Sequence, residues 1–339
     1  VSVATVTRAD VPIWIRALGS VQAFYAVQLR SRVDGTLTEV PVTEGQEVRK
    51  GDVLAVIDPR PYQAALDAAL AKKAQDEAQL STASADVTRY TALAKEEVAS
   101  RQKLEVVMAL AKQLRAAIVG DDAQIEAAQL NLSYCYITAP FDGRVGLRTV
   151  DPGNLVRAAE GTAIMTLAQL KPISVTFAVP QDNLPALAAA MARGKPEVVA
   201  RSSDEKAELD KGTLLTVDNA IDAATGTIRA KATFPNPDNR LWPGQFVNIR
   251  VLVGTDENVL TVPSPAVQHG PDGLYVYVVK PDDTVARETV EMARDDGETA
   301  IIARGVQEGQ RVVVDGQSRL QAGARVAVAT TRTAAKPGT

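Results

Sequence analysis

The spacing of apolar residues changes character twice along the chain. Between Pro61 and Pro140 there is no proline, and between Gly51 and Gly143 the only glycine is Gly120. Inside this stretch Leu104, Ala111, Ile118, Ile125 and Leu132 recur every seven residues, with Val107, Leu114 and Ala128 three after members of that series. This is the spacing of a coiled-coil seam. Leu66, Leu80, Val87 and Ala94 share another seven-residue frame, interrupted by Lys73. Between the two frames, Lys95-Glu96-Glu97-Val98-Ala99-Ser100 breaks the pattern. The spacing predicts an antiparallel helical hairpin turning near residues 95–99, each arm roughly 35 residues or about 50 Å long. Asp58 as cap and Pro59 at the first helical position would start it. Ser100 would cap the returning helix, with Lys103 standing where Glu or Gln would complete a capping box.

Both flanks of the hairpin read as short strands, and they repeat each other. Val33-Asp34-Gly35-Thr36-Leu37, Gly45-Gln46-Glu47-Val48 and Leu54-Ala55-Val56-Ile57 precede it. Phe141-Asp142-Gly143-Arg144-Val145, Gly153-Asn154-Leu155-Val156 and Ile164-Met165-Thr166-Leu167 follow it. Gly35 to Gly143 and Gly45 to Gly153 are each 108 residues apart. Two half-motifs with one internal spacing imply a single pseudo-symmetric β unit, split by the hairpin. Gly35, Gly45, Gly143 and Gly153 are expected to supply positive-φ turns between its strands.

The remainder reads as β. Asp222-Ala223-Ala224-Thr225-Gly226 is a turn signal before Ile228, Ala230, Ala232 and Phe234, which alternate with Thr227, Arg229, Lys231 and Thr233. Pro243-Gly244 suits a type II turn ahead of Val247, Ile249, Val251 and Val253. A short helix is expected around residues 181–193, a further β segment over 259–328, and a disordered tail over 331–339.

Composition narrows the chemistry. The 339 residues suggest two or three domains, and a formal charge of −4 opposes a basic nucleic-acid-binding face. Aromatics at 4% provide little for base stacking or for an aromatic-lined ligand pocket. One cysteine, Cys135, excludes an internal disulfide and a cysteine zinc site, and one histidine, His269, excludes a two-histidine site. Cys135 alternates with Ile137 and is expected in a core; His269 sits in a turn-like string before Pro271. Asp282-Asp283 and Asp295-Asp296 read as turns, and Met108, Met165, Met191 and Met292 are scattered. No phosphate loop, catalytic triad or metal cluster is read, so no enzyme activity, cofactor or metal is expected. No run of 18 apolar residues occurs, so no membrane span is expected. No signal peptide is read at the start, and a mature or trimmed form is expected.

These strings together resemble the periplasmic adaptors (membrane fusion proteins) of resistance-nodulation-division (RND) efflux systems. The resemblance rests on the split half-motifs, on Val56-Ile57-Asp58-Pro59-Arg60-Pro61-Tyr62 leading into the hairpin and on Ile137-Thr138-Ala139-Pro140-Phe141-Asp142-Gly143 leaving it. It also rests on Ile221-Asp222-Ala223-Ala224-Thr225-Gly226-Thr227 and Leu241-Trp242-Pro243-Gly244-Gln245-Phe246-Val247. It covers nearly the whole chain.

The resemblance implies a mainly β fold with a long α-helical coiled-coil hairpin, its modules nested. The hairpin would be 59–133, the lipoyl-like β-sandwich 29–58 and 134–170, the small β-barrel 9–28 and 171–258, and the membrane-proximal β domain 1–8 and 259–330. Covalent lipoyl carriage is not expected, because the hairpin replaces the turn that would present a carrier lysine, and Lys231 lies in separate β sequence. The resemblance further implies a non-enzymatic protein in the periplasm of a Gram-negative bacterium, associated with the inner membrane. It would self-associate as a hexamer (trimer of dimers) and bridge an inner-membrane, proton-driven RND transporter and a TolC-type outer-membrane channel. An adaptor for an ABC-type exporter or type I secretion system is the alternative. Many members carry an N-terminal lipid on cysteine; such an anchor is not visible in this chain, which leaves tethering open. Arg89, Leu93 and Ser100 match, at spacings of four and seven, a hairpin-tip motif that the resemblance assigns to contact with the outer-membrane channel.

Overall fold

A computed structural model describes residues 1–327 except Glu97, Asp272, Ser318, Arg319 and Ala322; the tail expected over 331–339 lies outside the described residues. Contacts divide the chain into two compact units. One comprises Gly19–Thr176 with Lys231–Val247; the other comprises Val1–Leu18, Phe177–Ala230 and the chain from Asn248 onward.

The first unit contains the hairpin and a sandwich of two four-stranded sheets. Helix α1 is Arg60–Lys95 and helix α2 is Arg101–Tyr134. α1 starts one residue later than the sequence suggests. Pro59 occupies the cap with no side-chain cap bond, and Asp58 stands outside it, its carboxylate accepting from the Arg60 N–H at 3.1 Å. Ser100 caps α2 as expected, its hydroxyl accepting from the Lys103 N–H at 3.3 Å.

The helices pack through Leu66 and Ala83 of α1 and Val107, Ala111, Leu114 and Ile125 of α2. Ile118, Leu132, Leu80 and Val87 are half-buried beside them. A second line of α1, Tyr62, Ala69, Asp76, Ala83 and Tyr90, also recurs every seven residues and completes the seam. That line escapes a reading based on large apolar residues, because alanine, tyrosine and aspartate alternate along it.

The sandwich realises the 108-residue repeat strand by strand. One sheet runs in the order Ala26–Arg30, Ala163–Ala168, Gly143–Arg148, Glu47–Val48. The other runs Tyr136–Thr138, Val53–Ile57, Gly35–Glu39, Leu155–Val156. Replacing each strand of the first order by its counterpart in the other half gives the second order, so each sheet takes two strands from each half. The core between them holds Leu37, Leu54, Ile57, Cys135, Ile164, Met165 and Leu167, all essentially inaccessible.

The turn glycines divide into two kinds. Gly45 and Gly153 have φ of 79° and 95°. Gly35 and Gly143 do not have positive φ; each opens a strand and is constrained by a close approach. A Cβ on Gly35 would lie 2.6 Å from Ile57 Cγ2, and one on Gly143 would lie 2.7 Å from the Ala168 carbonyl oxygen.

In the second unit, Ser2–Thr5, Arg311–Asp315, Gly273–Val279 and Gln268–Gly270 pair in that order, with Val285–Thr289 added to Gly273–Val279. His269 is exposed and paired with Leu274, in a strand beside the turn rather than within it. Val6, Val262, Val276, Ile302 and Val312 are among the residues filling the core there. Glu197–Arg201 pairs with Glu208–Asp222 and with Asn248–Val251. A helix, α3, spans Leu184–Arg193 after a short 3₁₀ turn, within the expected range. The 222–226 turn closes through the Gly226 N–H on the Asp222 carbonyl at 2.8 Å. Alternation along Thr227–Phe234 buries Ile228 and Ala230 of this unit and Ala232 and Phe234 of the first, and that along Phe246–Pro263 buries Val247 of the first unit and Ile249, Val251 and Val253 of this one.

Candidate functional site

Two places on the first unit bear on function: the free end of the hairpin and the root that holds it. At the root, α1 leaves from Val53–Ile57 and α2 returns into Tyr136–Thr138, and these two strands are paired, so the arms emerge side by side. Tyr62 anchors α1 by donating its hydroxyl to the Asp34 carbonyl at 2.7 Å. Arg60 chelates Asp58 at 2.7–3.2 Å; this hydrogen-bonded ion pair holds the Asp58 carboxyl at about 2, well below its usual range.

The halves of the sandwich are tied by two hydrogen bonds related by the repeat. The Asp34 carboxylate accepts from the Ala158 N–H, and the Asp142 carboxylate accepts from the Lys50 N–H, both at 2.7 Å. Asp34 and Asp142 are 108 apart, as are Lys50 and Ala158. Each half thus supplies an acid that satisfies a backbone donor of the other. The sequence shows the two aspartates in matched Asp-Gly strings, but their targets lie 92 and 124 residues away.

Cys135 is fully buried in this core, and burial pushes its thiol pKa up, so it sits there as a packing residue. Lys231 places its ammonium 5.6 Å from the centre of the Phe24 ring, within a strand. Among the described residues no group of three or more His, Cys, Asp or Glu side chains is arranged to hold a metal ion, and no helix is long and apolar enough to cross a membrane.

At the tip, Arg89 is exposed, ion-paired with Asp86, and stands 5.7 Å from the centre of the Tyr90 ring. Lys103 approaches the same ring at 5.8 Å, so two cations flank one tyrosine. Leu93 lies one turn after Arg89 and is half-buried; its carbonyl accepts from the N–H groups of Val98 and Ala99 at 2.9 and 3.2 Å. It therefore helps to shape the turn as well as presenting an apolar surface. Ser100 is exposed at the start of α2, with its hydroxyl engaged as the cap. Val98 is 71% exposed at the turn, an apolar residue with no packing role there that the sequence reading did not single out. Its signal was an aliphatic residue amid Lys, Glu and Ser where a turn needs none.

Comparison with known proteins gives three consecutive family matches. Residues 25–168 match the barrel-sandwich hybrid domain of RND membrane fusion proteins, 172–255 match their β-barrel domain, and 259–328 match a C-terminal permuted SH3-like domain described for YknX. The multidrug resistance protein MdtA of Proteus mirabilis is 43% identical over 97% of this chain and 80% of its own length. MdtA of Escherichia coli is 41% identical over 99% of this chain and 81% of its own. The crystal structure of a MacA–MexA chimera containing the Pseudomonas aeruginosa MexA α-hairpin domain superimposes with a TM-score of 0.58 at 25% identity, covering 89% of this chain and 96% of that one. MacA from Actinobacillus actinomycetemcomitans shares the fold, with a TM-score of 0.55 at 22% identity over 92% of this chain and 99% of its own. A split sandwich carrying a helical hairpin, three successive domain matches and close relatives along nearly its full length lead to one assignment: the chain belongs to the RND membrane fusion protein family, in its MdtA-like branch.

Proposed function

We propose that this protein is a periplasmic adaptor of an RND-type multidrug efflux pump, joining a proton-driven inner-membrane transporter to a TolC-type outer-membrane channel. The observation that carries this reading is a hairpin rooted between two interlocked half-motifs, in a chain whose relatives are named for multidrug resistance. Such a part reaches; it does not catalyse. The two helices brace each other along a long seam, and their root is fixed by paired strands, so force or contact at the tip is delivered to the sandwich.

In this reading the modules are the hairpin 59–133, the sandwich 29–58 and 134–170, the barrel 9–28 and 171–258, and the membrane-proximal domain 1–8 and 259–330. Several copies, six by family likeness, pack side by side as a tube. Arg89, Leu93 and Ser100 meet the channel's tip. The Arg89 guanidinium donates to carbonyls at a partner's helix turn, Leu93 supplies apolar contact, and Ser100 permits close approach. Val98 adds apolar area beside them.

Site-specific photocrosslinking in the native cell envelope tests the proposal. A photoreactive residue replacing Leu93 is expected to trap an outer-membrane channel, and one on the membrane-proximal domain an RND transporter. An ABC exporter trapped at the base would replace the RND assignment. Absence of any channel at the tip, in cells making the complete system, would return Arg89, Leu93 and Ser100 to ordinary helix-turn residues.

A further inference from the structure

Near its middle the hairpin seam carries charge where its spacing calls for apolar side chains. Asp76 stands seven residues before Ala83 in α1, and Asp121 seven after Leu114 in α2; they are only 5% and 8% exposed. Lys73 holds the place between Leu66 and Leu80 in the neighbouring line of α1. Lys72 donates to Asp76 at 2.6 Å, while Lys73 crosses to Asp122 of α2 at 2.7 Å and lies 3.7 Å from Glu77. These pairings leave Asp121 Oδ2 buried without a hydrogen-bond partner. Burying such an oxygen opposes closure of the helices at this level, because opening returns it to water.

The same level is where α2 is weakest in itself. Gly120 is the only glycine in either helix, and nothing lies within 4 Å of where its Cβ would be. Packing therefore does not require a glycine there. Its effect is to lower helix propensity immediately before two aspartates, which are also poor interior helix formers. On either side the seam is apolar, with Leu80, Ala83, Val87, Ala111 and Leu114 towards the tip and Leu66 and Ile125 towards the root.

We infer that residues 119–122 of α2 and 72–77 of α1 form a hinge that divides the hairpin into two stiff segments. The Lys73–Asp122 pair fixes the register of the closed state, and the unbonded Asp121 Oδ2 with the adjacent glycine sets where the helices part and α2 bends first. The inference goes beyond the adaptor proposal and does not depend on it, because it concerns the isolated chain.

Hydrogen exchange on the full chain, corrected for intrinsic rates, tests it. Amides of 119–124 and 73–78 are expected to exchange at least tenfold faster than those of 80–87, 107–114 and 125–130. Gly120→Ala, which meets no atom, should slow exchange at this level about fivefold and leave the flanks unchanged. Asp121→Asn with Gly120→Ala should slow it further. Uniform protection along both helices, or a Gly120→Ala effect no larger at 119–124 than at Ile125–Leu130, would overturn the hinge.

Discussion

Replacing Gly35 by alanine tests whether the sandwich is held by close approach of its strands rather than by turn conformation. Gly35 has no positive φ, and its missing Cβ would sit 2.6 Å from Ile57 Cγ2, with Ile57 itself 0% exposed. Ordinary carbon–carbon contact is roughly 3.5–4.0 Å, so the pair must separate by about 1 Å in a core with no room to give. Overpacking of this kind costs about 1–3 kcal/mol, offset by roughly 0.5–1 kcal/mol for alanine over glycine in a strand. The net expectation is a loss of about 1–2 kcal/mol, or close to a tenfold rise in opening. Because the chain has two compact units, a single global melting midpoint does not isolate this effect. The assay is exchange of the Val53–Ile57 amides under native conditions. Leucine at position 57 removes the offending γ-methyl branch at a cost below about 1.5 kcal/mol, so Gly35→Ala should be much milder in an Ile57→Leu background, a coupling of about 1 kcal/mol. Gly143→Ala should be as damaging, yet unrelieved by Ala168→Gly, because its obstacle is the Ala168 carbonyl oxygen at 2.7 Å and not a side chain. Strict additivity of Gly35→Ala with Ile57→Leu would refute the steric argument.

Three further outcomes are expected. Asp58 has a carboxyl held at about 2 by Arg60, against an ordinary value of 3.8; its contribution to stability is present above 3.8 and is lost as pH falls through 2, and carboxyl NMR titration should show the midpoint return towards 3.8 in Arg60→Ala. Asn236→Ala should lower stability by about 3 kcal/mol, measured as the melting of Gly19–Thr176 with Lys231–Val247 by exchange, because the buried Asn236 bonds the Leu170 and Leu241 carbonyls and the Leu241 N–H, and holds φ of 52°. Ser100→Ala should fray the first turn of α2 by about 1 kcal/mol, seen as faster exchange of the Lys103 amide, while Ser100→Asn restores it; equal exchange in all three proteins would remove the capping role.

The hairpin was legible because helices of this length must exclude proline and most glycine, and because a seam needs a strict repeat. The nested β halves were legible through matched Asp-Gly strings at one offset. What escaped reading depends on contacts distant in sequence. Whether Gly35 serves a turn or a tight approach is decided by Ile57, and whether Asp142 is a surface acid or a lock is decided by the Lys50 amide. Asp76 and Asp121 look like solvated helix residues until the facing helix buries them. Pro59 misled by one position because Asp58 folds its carboxylate onto Arg60 instead of closing the cap from within it. At the tip, Arg89, Leu93 and Ser100 are singled out by the family resemblance alone, and nothing in their spacing shows that the Leu93 carbonyl and the Ser100 hydroxyl are occupied in making the turn.

The paired strands at the hairpin's root give the fold an adjustable ruler. The insertion continues directly from Val53–Ile57 and into Tyr136–Thr138, whose separation is set by strand pairing and is indifferent to how far the arms extend. Removing or adding seven residues in each arm keeps every seam residue on its face and alters reach by about 10 Å at 1.5 Å per residue. A change that is not a multiple of seven would instead rotate that helix and set apolar residues against charge. The hairpin can thus change its span in fixed increments while the interlocked base stays as it is.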